Sequence, residues 1–185
     1  GALYLLNIKP EDTGKLIPQI LEFFKLRLKN LMIEQGIRYD VVDAVFADER
    51  NDDLVDIYAR CQALNAYVAL PEAEAVIQAS IRVCNLCKKI DTEVAISSAL
   101  FADPAEQELH DVLIRLNKEL IPDIVTYNYA AALKLAEQVV EPVNKFFDSV
   151  MVMDENVAVK NNRLALLEQA KEVTNAVGDL SCIVL

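Results

Sequence analysis

The chain has 185 residues, 54% of them hydrophobic, with only 4 glycines and no tryptophan. That composition excludes intrinsic disorder and disfavours a sandwich or barrel built on many Gly-rich turns. A formal net charge of −11 argues against DNA or nonspecific nucleic-acid binding, which usually needs a basic domain. The acid excess falls in the second half, so a polyanion-binding face is expected in the first. The longest uncharged run, Cys61 to Pro71, is well short of the roughly 18 residues that cross a bilayer, so no membrane partner is expected. The chain opens Gly1-Ala2-Leu3 without a secretory leader. It reads as a fragment or processed form of a cytoplasmic protein, with residues 1–12 left from a preceding domain and 13–185 forming one domain.

Thr13, after Asp12, is a candidate N-cap. Leu16, Ile17, Ile20, Leu21, Phe24, Leu28 and Leu31 then keep a three-four spacing up to a stop at Gly36. A short apolar segment, Tyr39 to Ala47, precedes the acidic turn Asp48 to Asp53. A helix is predicted from about Asp53 to Val68. Pro71, with Glu72 and Glu74, opens another that reaches about Ile90. Asp103-Pro104 with Glu106 repeats that start signal for a helix to Leu120. Pro122 is expected to break or kink it, with another helix over roughly Asp123 to Val140. Pro142 starts a short helix, and the last runs from Asn156 or Lys160 to Val177 before Gly178. The expectation is an all-α bundle of about seven to nine helices with short connections.

Cys61, Cys84, Cys87 and Cys182 are too few for a disulfide scaffold. Cys84-Asn85-Leu86-Cys87 is formally C-x-x-C, but it lacks a second pair and the sole histidine is His110. Both cysteines continue an apolar stripe and are expected to be buried, reduced and metal-free. The terminal Cys182-Ile183-Val184-Leu185 matches a prenylation box by letter but lacks a polybasic flank. The phosphate-binding and nucleophile-elbow motifs are missing. Composition and periodicity alone stop at an acidic helical domain without an evident catalytic set.

Two segments say more. One is Phe23-Phe24-Lys25-Leu26-Arg27-Leu28-Lys29, continuing through Gly36 to Arg38-Tyr39-Asp40-Val41-Val42-Asp43-Ala44-Val45. The other is Phe146-Phe147-Asp148-Ser149-Val150-Met151-Val152-Met153-Asp154, followed by Asn161-Asn162-Arg163-Leu164-Ala165-Leu166-Leu167. Between them stands Arg82-Val83-Cys84-Asn85-Leu86-Cys87-Lys88-Lys89. In this order and separation they resemble the C-terminal region of the bacterial glycyl-tRNA synthetase beta subunits, from about Leu16 to Leu180. The resemblance implies a helical anticodon-binding domain of the DALR type, shared with arginyl-tRNA synthetase. It implies a parent glycine–tRNA ligase whose alpha subunit makes glycyl-adenylate from glycine and ATP with Mg. The beta subunit grips tRNA(Gly), and this chain would hold the anticodon stem-loop. No cofactor, metal or catalytic residue is expected in the chain itself, and its protein partners would be the rest of the beta subunit and the alpha subunit.

The candidate RNA-binding residues follow from polar patterning within and beside those segments. Gln78, Arg82, Asn85 and Lys89 fall on one helical stripe, with Arg82 and Lys89 suited to phosphates and Asn85 to a base edge. Lys25 and Lys29 are one turn apart, flanking Arg27. Arg38 and Tyr39 follow the Gly36 stop, where unpaired bases could stack, although Tyr39 could equally be a ring at the core edge. Arg163 with Asn162 either fastens the last helix or reaches RNA. Phe146, Phe147, Val150 and Met153 are read as core, as are Tyr127 and Tyr129. Substitution of Glu106 or Glu108, on the acidic half, is expected to do little to tRNA binding and charging. The alternative function is a helical protein–protein interaction or scaffold domain, for which the negative charge is natural.

Overall fold

The computed structural model describes residues 10–87 and 95–185. Among the described residues there are eight α-helices, three short 3-10 turns and no strand. They are α1 (Pro10–Glu34), α2 (Tyr39–Phe46), α3 (Leu54–Tyr67), α4 (Ala73–Cys87), α5 (Pro104–Val125), α6 (Tyr129–Ala136), α7 (Val140–Ser149) and α8 (Val157–Thr174). The helix count falls within the range the apolar spacing predicts.

Local chemistry sets several of the boundaries. Gly36, at φ +89°, closes α1 in a Schellman turn. Its N–H donates to the Ile33 carbonyl and the Ile37 N–H to that of Met32. Asp53 caps α3 by accepting the N–H groups of Val55 and Asp56. At the start of α5, Asp103 accepts from Ala105 while Glu106 reaches back to the N–H of Asp103, completing a capping box. Asn156 caps α8.

Three expected boundaries are displaced. The first helix begins at Pro10, so Thr13 lies inside it rather than capping it. The helix after Pro71 begins at Ala73, and its expected end at Ile90 lies outside the described residues. Pro122 does not break α5: the helix runs on to Val125, and the interruption falls at Tyr127, a non-glycine residue at φ +57°. The Tyr127 N–H donates to the Ile124 carbonyl and the Asn128 N–H to that of Asp123. This is another Schellman turn, with tyrosine where glycine is usual. Its hydroxyl donates to Asp53 and its ring meets Tyr129 edge-on, tying the turn to the start of α3.

The core is largely aliphatic. Helix α4 lies along α8, and α5 packs on α6, α7 and α8. Leu109, Leu113 and Leu116 of α5 and Leu166 and Leu167 of α8 are fully buried, with Phe146 of α7 and Tyr129 of α6. Tyr127 and Met153 are each about half exposed, because both fall beyond the helix ends whose periodicity would have turned them inward. On the other side α2 packs on α3, and α1 lies across both. Between Thr174 and the chain end, Gly178 passes so close to Ala44 and Val45 of α2 that a Cβ would sit 3.2 Å from their atoms. The Asp179 N–H there donates to the Ala44 carbonyl.

Candidate nucleic-acid interface

Helix α4 has the two faces its spacing predicts. Val76, Ile77, Ala79, Ser80, Val83, Cys84 and Cys87 turn inward, while Gln78, Arg82 and Asn85 line the exposed side. Lys89, the fourth member of the stripe, lies outside the described residues. Gln78 donates its side-chain amide to Glu74 one turn earlier. The Arg82 guanidinium lies 4.5 Å from the centre of the Phe147 ring, and its Nη1 donates to the Asn144 Oδ1 at 2.9 Å. Both partners belong to α7, which packs against α4.

A guanidinium seated on a phenyl ring and tied to an amide oxygen has lost most of its rotamer freedom before any ligand arrives. Arg82 remains exposed, so its other face is open to a second planar group. The helical spacing predicts a core position for Phe147. Successive helical residues point about 100° apart, so with Phe146 fully buried its neighbour turns to the edge of the core, where it is half-buried. Phe147 and Asn144 are the two contributors to this surface that sequence reasoning missed, and the helical angle between the paired phenylalanines was the available signal.

Arg38 sits elsewhere, beside the chain end. Its Nε and Nη2 donate to the two oxygens of Asp40, and Nη2 also donates to the Val184 carbonyl at 2.7 Å. Asp40, itself buried, accepts the Val184 N–H at 2.8 Å. Burial pushes the Asp40 carboxyl up, but the bond from Arg38 and the N–H groups of Val184 and Val41 outweigh it and leave the group below its ordinary value. The same bond to Asp40 raises Arg38. Arg38 therefore holds the C-terminal tail of the chain, while the adjacent Tyr39 is 61% exposed.

On α1, Lys25 donates to the Glu49 carbonyl and pairs with Asp52 at 2.7 Å. Lys29 pairs with Asp43 at 2.5 Å and lies over the Phe46 ring. Lys25 is turned toward the α2–α3 turn and Lys29 toward α2. Arg27 is exposed, with its guanidinium 5.7 Å from the Phe23 ring centre.

Arg163 is only 6% exposed. Its Nε donates to Glu106 Oε1 at 2.9 Å, and its Nη1 donates to Asp154 at 2.7 Å and to the Met151 carbonyl at 3.0 Å. Burial lowers its pKa, but these two carboxylates reverse the shift and leave it raised. Of the two roles open to Arg163, this geometry is that of a fastener, joining α8 to the start of α5. Glu106 is correspondingly not an inert surface acid. It is fully buried and accepts from Ala102, Asp103 and Arg163.

Cys61, Cys84 and Cys87 are buried thiols. Burial pushes Cys61 up to about 12 and Cys87 further above its ordinary value, with Glu168 adding to the latter, so neither is a thiolate at neutral pH. Among the described residues no three His, Cys, Asp or Glu side chains gather where they could hold a metal ion, and no helix is long and apolar enough to cross a membrane.

The chain is similar to glycine–tRNA ligase beta subunits of several bacteria. That of Desulforamulus reducens is 40% identical over 95% of this chain and 25% of its own length. That of Clostridioides difficile is 38% identical over 94% of this chain and 25% of its length. That of Shewanella woodyi is 37% identical over 91% and 25%. The chain thus spans about a quarter of the length of these relatives. Residues 76–180, from the first turn of α4 to the buried Leu180, match the DALR anticodon binding domain. That span contains Arg82, Asn85, Asn144 and Phe147 together with the Arg163 fastener, and the chain belongs to the DALR anticodon binding domain family.

Proposed function

We propose that the chain is the anticodon-binding part of a glycine–tRNA ligase beta subunit and that the exposed face of α4 meets the anticodon arm of tRNA(Gly). The carrying observation is Arg82, held on Phe147 by α7 with its other face exposed beside Asn85. A pre-oriented guanidinium plane suits an unstacked base, and the amide of Asn85 suits a base edge. Tyr39 is an exposed group that would extend the contact, and Lys89 would continue the stripe toward phosphates. Lys25, Lys29 and Gln78 would join only by exchanging carboxylate partners for RNA. In this reading the activation of glycine, with its ATP and Mg, belongs to the alpha subunit. This chain positions tRNA in the cytoplasm, so its loss is felt as a higher KM for tRNA rather than in the chemical step.

The test is gel-shift titration of tRNA(Gly) transcripts, with anticodon variants, against Arg82→Ala and Asn85→Ala. Arg82→Ala is expected to weaken binding by about 1–3 kcal/mol if a stacked base is lost, with thermal stability little changed. Unaltered affinity for all anticodon variants would remove the reading, and the scaffold alternative would replace it.

A further inference from the structure

Helix α1 has two faces. One, running through Leu21, Lys25, Leu28 and Met32, settles on the domain, with Met32 fully buried and Leu28 packed on the core. The other runs through Ile17, Ile20, Phe24, Arg27 and Leu31 at spacings of three and four, the seam pattern of a helix that pairs with another helix. Its four apolar members are 43–54% exposed, and Phe23 beside them 56%.

An apolar stripe of about 21 Å along one helix is unusual on a free surface. We infer that this second face of α1 docks against an apolar helix of the same polypeptide outside the 185 residues, one that places a carboxylate opposite Arg27. The inference rests on the reading of the chain as part of a beta subunit.

Three observations select that occupant. The relatives that align with nearly all of this chain are about four times its length, so most of such a subunit lies outside it. The stripe covers only two heptads, short of the roughly three to four that sustain a free-standing coiled coil. A seam that short suffices when the partner is tethered and its effective concentration is high. Finally, Arg27 occupies a seam position with no acid among its stripe neighbours. A second copy in parallel would set Arg27 against Arg27. An antiparallel copy centred on Phe24 would set it against Ile20. Either leaves a cation covered and unpaired. RNA fits no better, since the stripe offers one cation among apolar side chains.

The test is hydroxyl-radical footprinting, which reads side-chain accessibility directly. It is run on the 185-residue chain and on a Desulforamulus reducens beta subunit in which this chain replaces the aligned segment. Oxidation of Ile17, Ile20, Phe23 and Phe24 is expected to be strong in the chain alone and to fall severalfold in the full-length chimera. Equal oxidation in both overturns the inference. Protection in the chain alone that grows with its concentration assigns the face to a second copy, and protection that appears only with added tRNA assigns it to RNA; each overturns it. Protection in a chimera that binds no tRNA supports the docking and defeats the anticodon reading alone. Should the chimera fail to fold, Ile20→Gln with Phe24→Gln in the 185-residue chain decides. The Tm is expected to stay within about 2 °C, as for other surface changes, and a larger fall shows that the stripe packs within its own fold and overturns the proposal.

Discussion

Arg82 and Arg163 stand on helices that pack along each other, α4 and α8, and the fold uses them in opposite ways. Arg163 is sealed in with two carboxylates and a carbonyl oxygen. Arg82 has an amide oxygen and a phenyl ring, and stays exposed. The difference lies in the acids each one meets. Glu106 is already aimed by the capping box of α5, so an arginine beside it finds a fixed carboxylate, whereas the groups around Arg82 hold its plane without neutralising it. In a chain with 29 acidic and 18 basic side chains, most cations among the described residues are already paired with an acid. A cation is available to a polyanion only where the packing withholds a carboxylate, and counting charge along the sequence does not find those places.

The largest expected effect comes from opening the buried side of this contrast. Arg163→Met leaves Glu106 charged and enclosed, and uncoupling such a pair destabilises by about 3–5 kcal/mol. Glu106→Ala should be at least as damaging, because the N–H groups of Ala102 and Asp103 lose their acceptor along with Arg163. Urea unfolding checks this through a lower midpoint at unchanged m. A loss under about 1 kcal/mol, within the range of an exposed pair, would mean that the two arginines are not so different.

Next in size is the clamp at the chain end. The folded-state pKa of Asp40 lies below its ordinary value, so its contribution is present above the ordinary carboxylate range and is lost as pH falls through the depressed value. Asp154, lowered by the N–H of Asn156 and then by Arg163, acts in the same direction. Asp40→Asn is expected to cost on the order of 1–2 kcal/mol at neutral pH, the scale of a charge-assisted bond, and to flatten the acid limb of a plot of Tm against pH between about 5 and 2. An unchanged acid limb would show that Asp40 does not couple the tail to protonation.

What the sequence makes legible divides along local and distant chemistry. The helices, the caps at Asp53, Asp103 and Asn156, and the stop at Gly36 depend on residues within a turn of one another. The stripe of α4 is equally local, being only a spacing. The break at Tyr127 was hidden because no glycine marks it, and the visible proline, Pro122, falls near the end of α5, where the chain was about to leave the helix anyway. The partners of the candidate cations were out of reach for a different reason: Arg38 meets Val184 across the whole chain, Lys29 meets Asp43 across a turn, and Arg163 meets Glu106 from another helix. Spacing shows which residues share a face, but it carries no information on which acid will face them.

The smallest effect tests that last point. To hold phosphate, Lys25 would have to give up the Glu49 carbonyl and Asp52, and Lys29 would have to give up Asp43. The gain from RNA is then a difference between two charge pairs of similar strength. Lys25→Ala and Lys29→Ala are expected to change tRNA affinity by less than about 1 kcal/mol each, the scale of an exposed ion pair, and by less than Arg82→Ala does. The slope of log affinity against log salt should stay nearly constant for the lysine variants, since each phosphate contact to a single strand that is truly lost lowers it by about 0.7. Asp43→Asn gives the opposite sign. It releases Lys29 without removing it, so tRNA affinity should rise and the salt dependence should steepen. If the lysine variants instead match Arg82→Ala, the pairs seen here exchange for phosphate on binding, and carboxylate pairing in the unbound chain no longer separates binding cations from fastening ones.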